Sequence, residues 1–224
     1  MRESWRWFGP NDPVTISDIR QTGATDIVSA LHHMPIGEIW TIDEIRKYQN
    51  LIESGNEQRS PLIWSVVESI PVHEDVKLGR DGCQVYIDNW SKSMENLAVC
   101  GIKTICYNFM PVIDWTRTDL AYKLNTGAYA LRFDQTKFAA FDLYILQRAD
   151  ADADYTEAEI NEAREAYQQM SPEESERLTN NIIAGLPGKM TDSYSLDDFK
   201  NALAQYSHIG HAELRDNLDG FLSH

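Results

Sequence analysis

The first 110 residues of the chain repeat one pattern: a short apolar run, a polar loop and then an amphipathic helix. The apolar runs that predict β-strands cover residues 5–8, 26–31, 62–67 and 102–107, and helices are predicted at residues 15–22, 41–55 and 86–100. Such alternation of strands and helices produces right-handed βαβ units and a parallel sheet. The pattern therefore predicts an α/β fold, either a doubly wound sheet or a barrel, and it favours the barrel.

The residues within and after the predicted strands restrict the fold further. The strands are nearly continuous apolar runs, which is typical of strands that helices cover on both faces. No glycine-rich phosphate loop follows the first strand, where a dinucleotide-binding fold carries one. A turn at residues 9–13 occupies that place instead. The sequence thus gives no support to a nucleotide cofactor.

The pattern changes after Asn108. Residues 122–133 contain the tripeptide 125–127, Asn-Thr-Gly, between two apolar stretches, and this arrangement predicts a β-hairpin. Two acidic helices are predicted next, each opened by a capping box in which a hydroxyl and a carboxylate three residues later satisfy each other's backbone amides. The boxes are Thr156 with Glu159 and Ser171 with Glu174, and further helices are predicted at residues 195–206 and 212–222.

These elements predict three parts along the chain. Residues 1–110 form the first four β/α units of a (β/α)₈ barrel, and residues 111–210 form a mostly helical insertion after the fourth strand. We interpret the insertion as a lid or a contact between subunits. Residues 211–224 then begin the next barrel helix, so that the fold class is a partial (β/α)₈ TIM barrel.

The charge of the chain excludes several classes of partner. The net charge is −15, which opposes binding to nucleic acid or to an anionic membrane. Residues 149–224 contain 16 acidic and 5 basic side chains, whereas residues 1–148 contain 19 and 15, so an anionic substrate is better received in the first part. No apolar run approaches the roughly 18 residues of a membrane span.

The N-terminus and the cysteines indicate a cytoplasmic protein. The first ten residues are charged and aromatic and lack the apolar region of a signal peptide. The three cysteines, Cys83, Cys100 and Cys106, match no zinc or redox spacing. We expect Cys100 and Cys106 to be buried thiols because their neighbours are apolar.

Polar side chains follow all four predicted strands, at the edge of a parallel sheet where ligands bind. The candidate substrate-binding residues are Trp7, Asn11, His32, His33, Glu68, His73, Asn108, Trp115 and Arg117. Each has a structural alternative. One histidine of the adjacent pair 32–33 faces away from the site, Glu68 either pairs with a cation of a neighbouring strand or faces the site, and residues 73–74 form a solvated loop. Residues 114–117 form either a salt-bridged turn or a carboxylate-binding site around Arg117.

Longer strings around these positions resemble the mannonate dehydratase family. They are residues 5–14, 30–35, 64–69 and 106–118, and residues 180–188 resemble the insertion of the same family. The resemblance extends from residue 1 to about residue 222. It implies a (β/α)₈ barrel related to the xylose isomerase-like enzymes, dehydration of D-mannonate to 2-dehydro-3-deoxy-D-gluconate in hexuronate breakdown, and homo-oligomers of the full-length members.

The resemblance also implies a cofactor and roles for some residues. Family members use Mn²⁺ or Fe²⁺, and their metal ligands lie on later strands, so no metal ligand is expected in this chain. Arg117 is expected to bind the substrate carboxylate, and His32 or His33, Asn108 and Trp115 to bind hydroxyls. We expect the chain to end before the metal-binding half and therefore expect its activity alone to be incomplete. The alternatives are a non-catalytic fragment and a sugar isomerase of the same superfamily.

Overall fold

A computed structural model of the chain describes residues 2–54, 62–113, 116–183 and 195–224. The elements of the first compact unit, Met1–Phe109 with Ile209–His224, are β1 (Ser4–Arg6), α1 (Ile16–Gln21), β2 (Asp26–Ser29), α2 (Ile42–Glu53), β3 (Ile63–Val67), α3 (Glu74–Lys77), α4 (Gln84–Val99), β4 (Thr104–Ile105) and, at the end of the chain, α9 (His211–Leu222). None of the helices in these ranges is long and apolar enough to cross a membrane.

The second compact unit, Met110–His208, is mostly helical. Its elements are β5 (Asp119–Lys123), β6 (Tyr129–Arg132), α5 (Gln135–Ala140), which continues into a π-helix (Phe141–Leu146), a 3₁₀ turn (Ala151–Asp154), α6 (Glu157–Gln169), α7 (Pro172–Ile183) and α8 (Leu196–Gln205). The hairpin predicted around residues 125–127 is present as the antiparallel pair β5–β6. The role of this unit as a lid or a subunit contact stays a prediction.

The first unit is built on a four-stranded parallel sheet in the order β1-β2-β3-β4. The α/β fold with a parallel sheet is therefore confirmed. Trp5 lies opposite Ile27, Ile27 lies opposite Trp64, and a bulge follows Ile27 in the pairing of β2 with β3. The strands are shorter than predicted because tight turns end them, such as the hydrogen bond from His32 N to Ala30 O.

One face of this sheet carries the core. Ile27, Trp64 and Val67 are almost fully buried against Ile45 and Ile52 of α2. Side chains alternate between the two faces of a strand. The opposite face carries the row of Arg6, Val28, Val66 and Thr104, whose members are exposed or half-buried. The expectation of strands covered on both faces is wrong for these residues, because the apolar cluster lies on one side only.

Helix caps follow the sequence closely, with one exception. The capping boxes of α6, from Thr156 and Glu159, and of α7, from Ser171 and Glu174, contain both reciprocal bonds. At α2, Thr41 accepts a hydrogen bond from the Glu44 amide, but the Glu44 carboxylate contacts His33 and Lys47 and so does not complete a capping box. The helix starts at the expected residue because this single hydrogen bond is sufficient to cap it.

The last helix, α9, returns to the first unit. Phe221 lies edge-on to Trp90, with ring centroids 5.0 Å apart, and Asn217 Nδ2 donates to Lys77 O at 2.9 Å. Gly79 allows this approach, since a Cβ there would meet Asn217 at 2.5 Å and its φ is +62°.

The exposure of the cysteines differs in part from the expectation that Cys100 and Cys106 are buried. All three are free thiols, but Cys106 is exposed and Cys100 is half-buried against the core. Cys106 follows the short β4, and its apolar neighbours in sequence do not cover it. The interpretation of Cys106 as a buried thiol is therefore wrong.

Candidate functional site

An ion pair crosses the open face of the sheet at the carboxyl ends of the strands. Arg6 Nε donates to Glu68 Oε2 at 2.7 Å, and a second guanidinium nitrogen contacts Oε1. Arg6 lies opposite Val28, and Val28 lies opposite Val66, so the pair reaches from β1 across β2 to the residue after β3. Glu68 is thus paired with a cation of β1, two strands away, whereas the sequence-based alternative placed such a partner on a neighbouring strand.

The rings of Phe8 and His32 lie beside this ion pair. The Arg6 Cζ atom lies 4.3 Å from the centroid of the Phe8 ring, and the Phe8 and His32 rings are 6.0 Å apart. The pKa of His32 lies below its ordinary value mainly because the surrounding protein removes water from the ring. The Arg6 guanidinium and the neighbouring His33 lower the pKa of His32 as well, whereas the Glu68 carboxylate raises it. At neutral pH the imidazole is therefore uncharged.

The chemistry of the four side chains suits a small polyhydroxy acid. A guanidinium carries five N–H donors in a planar fork, of which the pair with Glu68 uses two. A neutral imidazole both donates and accepts a hydrogen bond. The strand-end cluster, defined as Arg6, Phe8, His32 and Glu68, therefore offers donors to a carboxylate and mixed partners to hydroxyl groups.

Trp7 and Asn11 flank the first strand in different environments. Trp7 is 3% exposed, its Nε1 donates to Val14 O at 3.0 Å, and its ring stacks on Tyr48 at 5.7 Å. Asn11 is exposed in the following turn, which Asp12 holds by accepting hydrogen bonds from two backbone amides. The structure gives Trp7 a packing role, and the predicted substrate contacts of Trp7 and Asn11 stay predictions.

The remaining histidine candidates have protein partners. His33 Nε2 lies 3.2 Å from Glu44 Oε2 on α2. His73 caps α3 by accepting from the Asp75 amide, and its ring stacks on Tyr86 at 3.6 Å. Residues 73–74, for which a solvated loop was the alternative, instead form the N-terminal cap and the first residue of α3.

The candidates after the fourth strand lie partly in the first unit, partly in the second and partly outside the described residues. Asn108 is half-buried in the first unit, and Arg117 is half-buried in the second. Trp115 lies outside the described residues. The roles assigned to Asn108, Trp115 and Arg117 stay predictions.

Sequence reasoning missed Arg6 and Phe8 as members of the cluster. The signal was present, because strand alternation places residues 6 and 8 on the face opposite Trp5 and Trp7. An arginine on this face can pair with a carboxylate that follows a later strand. Glu68, the acid after the third strand, was the partner to search for.

A second polar cluster lies in the second unit and has no sequence signal. Asp142, which is 4% exposed, accepts two hydrogen bonds from Arg148 Nε and Nη2 at 2.9 and 2.8 Å, and one from Tyr155 Oη at 2.9 Å. Burial and the neighbouring Asp142 carboxylate raise the pKa of Tyr155 far above its ordinary range. A cavity of about 310 Å³ beside them is lined mainly by Phe138, Phe141, Leu146, Phe199 and Leu203.

The described residues do not fit a divalent metal. Among residues 2–54, 62–113, 116–183 and 195–224, no group of three or more His, Cys, Asp or Glu side chains could hold a metal ion. In the strand-end cluster, both oxygens of Glu68 face the Arg6 guanidinium, whose positive charge opposes a second cation.

Known proteins resemble this chain over almost its whole length. A family model described as D-mannonate dehydratase (UxuA) matches residues 1–224. The mannonate dehydratase of Chromohalobacter salexigens is 53% identical over 222 residues, which are 99% of this chain and 55% of that protein. The mannonate dehydratase of a Marinomonas species is 50% identical over the same shares of the two chains. The crystal structure of mannonate dehydratase from Streptococcus suis serotype 2 matches with a TM-score of 0.66 and 28% identity, covering 100% of this chain and 48% of that one. The chain spans about half the length of these relatives.

Proposed function

Because this chain belongs to the D-mannonate dehydratase family, we propose that it supplies the substrate-binding strands of a hydro-lyase that converts D-mannonate to 2-dehydro-3-deoxy-D-gluconate. The observation that carries the proposal is the strand-end cluster, where Arg6, His32 and Glu68 meet on the open sheet face. The four parallel strands are, in this proposal, half of a (β/α)₈ barrel. The likeness to the Streptococcus suis structure over the full chain supports that fold.

The reaction explains why a cation belongs at this place. Loss of the proton on C2 of mannonate puts a second negative charge next to the carboxylate. A guanidinium aimed at the carboxylate stabilises this charge as it develops, and its fork matches the two oxygens. Arg6 is held in place by Glu68 and by the face of Phe8, so it does not have to be ordered when the substrate binds.

His32 has a complementary role in the proposal. Its lowered pKa keeps the imidazole neutral at pH 7, so that it can donate one hydrogen bond to a substrate hydroxyl and accept another. Asn108, Trp115 and Arg117 remain further candidates for hydroxyl and carboxylate contacts. We assign no step to Mn²⁺ or Fe²⁺, because the described side chains do not fit a metal site. The setting that we propose is the cytoplasm.

Binding of D-mannonate to the purified chain tests the role of Arg6. Saturation-transfer NMR measures the dissociation constant for the wild type and for Arg6→Gln. We expect Arg6→Gln to weaken binding by about 10- to 100-fold, the usual value for a lost charged hydrogen bond. Arg80→Gln is the matched control, since Arg80 is 50% exposed and paired with Asp75, much as Arg6 is 54% exposed and paired with Glu68.

The Arg80→Gln control and a product assay test the proposed function. Equal loss in both variants, or unchanged binding in Arg6→Gln, would contradict the role of the cluster. In the product assay D-mannonate is incubated with the chain and Mn²⁺, and the products are analysed by mass spectrometry. A 2-keto acid lighter than D-mannonate by one water supports dehydration, whereas a product of unchanged mass would identify an isomerase instead.

A further inference from the structure

The cavity beside Asp142 in the second unit has the size and lining of a small-molecule site. Its volume of about 310 Å³ lies at the lower end of the range for ligand pockets, roughly 300–1,000 Å³. Three aromatic rings, those of Phe138, Phe141 and Phe199, line it together with aliphatic side chains, and it is partly open to solvent. Since an apolar cavity of roughly 150 Å³ can hold benzene, this one has room for a ring with a short side chain.

A π-helix shapes one wall of the cavity. Because its hydrogen bonds join residues five positions apart, Phe141 and Leu146 lie on neighbouring faces of the turn, and both line the cavity. Gln147 follows with a φ of +55° and redirects the chain, so that the Arg148 amide donates to Asp142 O at 3.2 Å. Single turns of π-helix are rare and lie frequently at functional sites. The backbone of this wall and its apolar lining therefore point to the same function, the binding of a ligand.

The rim of the cavity is negatively charged. The guanidinium of Arg148 faces the carboxylates of Asp142 and Asp154, which gives the group a formal charge of −1. Asp142 is buried and accepts from Arg148 and Tyr155, whereas the Asp154 side chain is 63% exposed and bonds Arg148 through Oδ2. Among the described lining residues, Asp154 thus offers the carboxylate oxygen that a ligand can reach, its Oδ1.

The surrounding charge favours a cation at this rim. Residues 110–208 contain 17 acidic and 9 basic side chains, and three of the acids lie within residues 150–154. Burial raises the pKa of Tyr155, and the Asp142 carboxylate raises it by more than the Arg148 guanidinium lowers it, which indicates a negative potential beside the cavity. An anion would lose its water on entry and meet two carboxylates, so the cavity selects against anionic ligands.

We propose that this cavity binds a small amine whose single ammonium group is attached to an aromatic or branched apolar body. The apolar body lies among the phenylalanine rings, and the ammonium group lies at the rim, where it donates to Asp154. A cation near the face of an aromatic ring is attracted by the negative charge of that face, so that the rings contribute more than apolar burial. The inference concerns the second unit alone and does not rest on the proposed reaction.

Three probes with the same ring and different charges test the selectivity. Saturation-transfer NMR measures the dissociation constants of phenethylammonium, 2-phenylethanol and 3-phenylpropionate for the full chain. We expect phenethylammonium to bind at least about tenfold more tightly than 3-phenylpropionate, because Asp154 attracts the first and repels the second. The affinity of the uncharged 2-phenylethanol should lie between them. Equal affinities for the three probes, or no binding of phenethylammonium, overturn the proposal.

Two substitutions in the 3₁₀ turn locate the ammonium group. Asp154→Asn removes the rim charge but keeps an oxygen for Arg148, so it should weaken phenethylammonium by about three- to fivefold and leave 2-phenylethanol unchanged. Asp152→Asn removes the same charge from an exposed position of this turn outside the lining, and should change neither dissociation constant by more than about twofold because solvent screens it. Equal effects of the two substitutions on phenethylammonium would mean that no contact with Asp154 exists, which rejects the proposal.

Leu203→Trp tests whether binding takes place inside the cavity. Leu203 is half-buried and lines the cavity, so a larger ring there should fill the space and raise the dissociation constants of phenethylammonium and 2-phenylethanol more than about tenfold. Unchanged binding would place the probes elsewhere and overturn the proposal. If Leu203→Trp fails to fold by circular dichroism, the Asp154→Asn and Asp152→Asn pair decides alone. Excess D-mannonate should leave phenethylammonium bound, and its displacement would assign the cavity to the sugar acid instead of an amine.

Discussion

Each of the two units contains an arginine paired with a carboxylate by two nitrogen atoms, but the two pairs lie in opposite environments. In the first unit the Arg6 and Glu68 side chains are 54% and 25% exposed, whereas in the second unit those of Arg148 and Asp142 are 31% and 6% exposed. Asp142 also accepts from Tyr155, so that its oxygens are surrounded by donors of the protein.

The difference shows that burial decides whether an ion pair stabilises the fold or remains able to bind a ligand. A buried pair has already lost its water, and removal of one partner leaves a charge that nothing solvates. An exposed pair keeps water on its outer side and contributes little to folding, yet its spare donors remain accessible to a ligand. The arginine–carboxylate pair therefore stabilises the fold of the second unit, whereas in the first unit it is accessible to a ligand.

The largest effect should come from Asp142→Ala in the second unit. We expect a loss of about 3 kcal/mol, the lower end for a broken buried pair, because Arg148 keeps Asp154 as a partner. Amide hydrogen exchange in α5 to α7 should then be roughly 100-fold faster, measured by mass spectrometry of peptides. Asp152→Ala, at an exposed position of the 3₁₀ turn, is the control and should leave exchange unchanged. Equal exchange in the two variants would show that the buried pair is not structural.

An intermediate effect is expected from Ser29→Ala in the first unit. Ser29 is fully buried, and its hydroxyl bonds Trp7 O at 2.5 Å and Tyr48 Oη at 2.8 Å. Its loss leaves a buried carbonyl and a buried phenol with one partner fewer, which costs about 1–2 kcal/mol. Tryptophan fluorescence during urea unfolding measures the change, and exposed Ser17→Ala is the control. If Ser29→Ala lost as much free energy of unfolding as Asp142→Ala, a neutral buried hydroxyl would stabilise the fold as much as the buried ion pair, which contradicts the comparison.

The smallest effect on stability, and the most specific readout, is expected at the exposed pair. Glu68→Gln should destabilise the first unit by less than about 1 kcal/mol. Since the Glu68 carboxylate raises the pKa of His32 and the Arg6 cation lowers it, Glu68→Gln should lower that pKa further and Arg6→Met should raise it. An NMR pH titration of the His32 ring measures both shifts. Glu44→Gln, next to His33, is the control, and shifts of the same sign in the Glu68 and Arg6 variants would refute the electrostatic description.

Local structure was largely predictable from the sequence. The parallel strands, the hairpin at residues 125–127 and the capping boxes at Thr156 and Ser171 follow from patterns within about a dozen residues, and the structure contains all of them. Strand ends were less predictable. Apolar residues 30–31 continue the β2 pattern in sequence, but backbone turns end the strand at Ser29.

Contacts between distant residues were the part that sequence patterns could not supply. The sequence left two roles open for Glu68, pairing with a cation or facing the site. Only the register of three strands identifies Arg6, which lies 62 positions earlier, as its partner. The Asp142 cluster depends on a π-helix and on left-handed backbone at Gln147 and Asp150, which no local motif indicates. Trp7 shows the same limit, because its position at a strand end does not reveal that neighbouring side chains leave it only 3% exposed.

The return of α9 to the first unit has a consequence during synthesis. Lys77 and Asn217 bond across 140 positions, and the ring of Phe221 completes the packing around Trp90. A ribosome adding 5–20 residues per second needs about 5–20 seconds to make the intervening second unit. During that interval the edge contact between Trp90 and Phe221 has not yet formed. The packing of this side of α4 is therefore completed only after the whole second unit has been made.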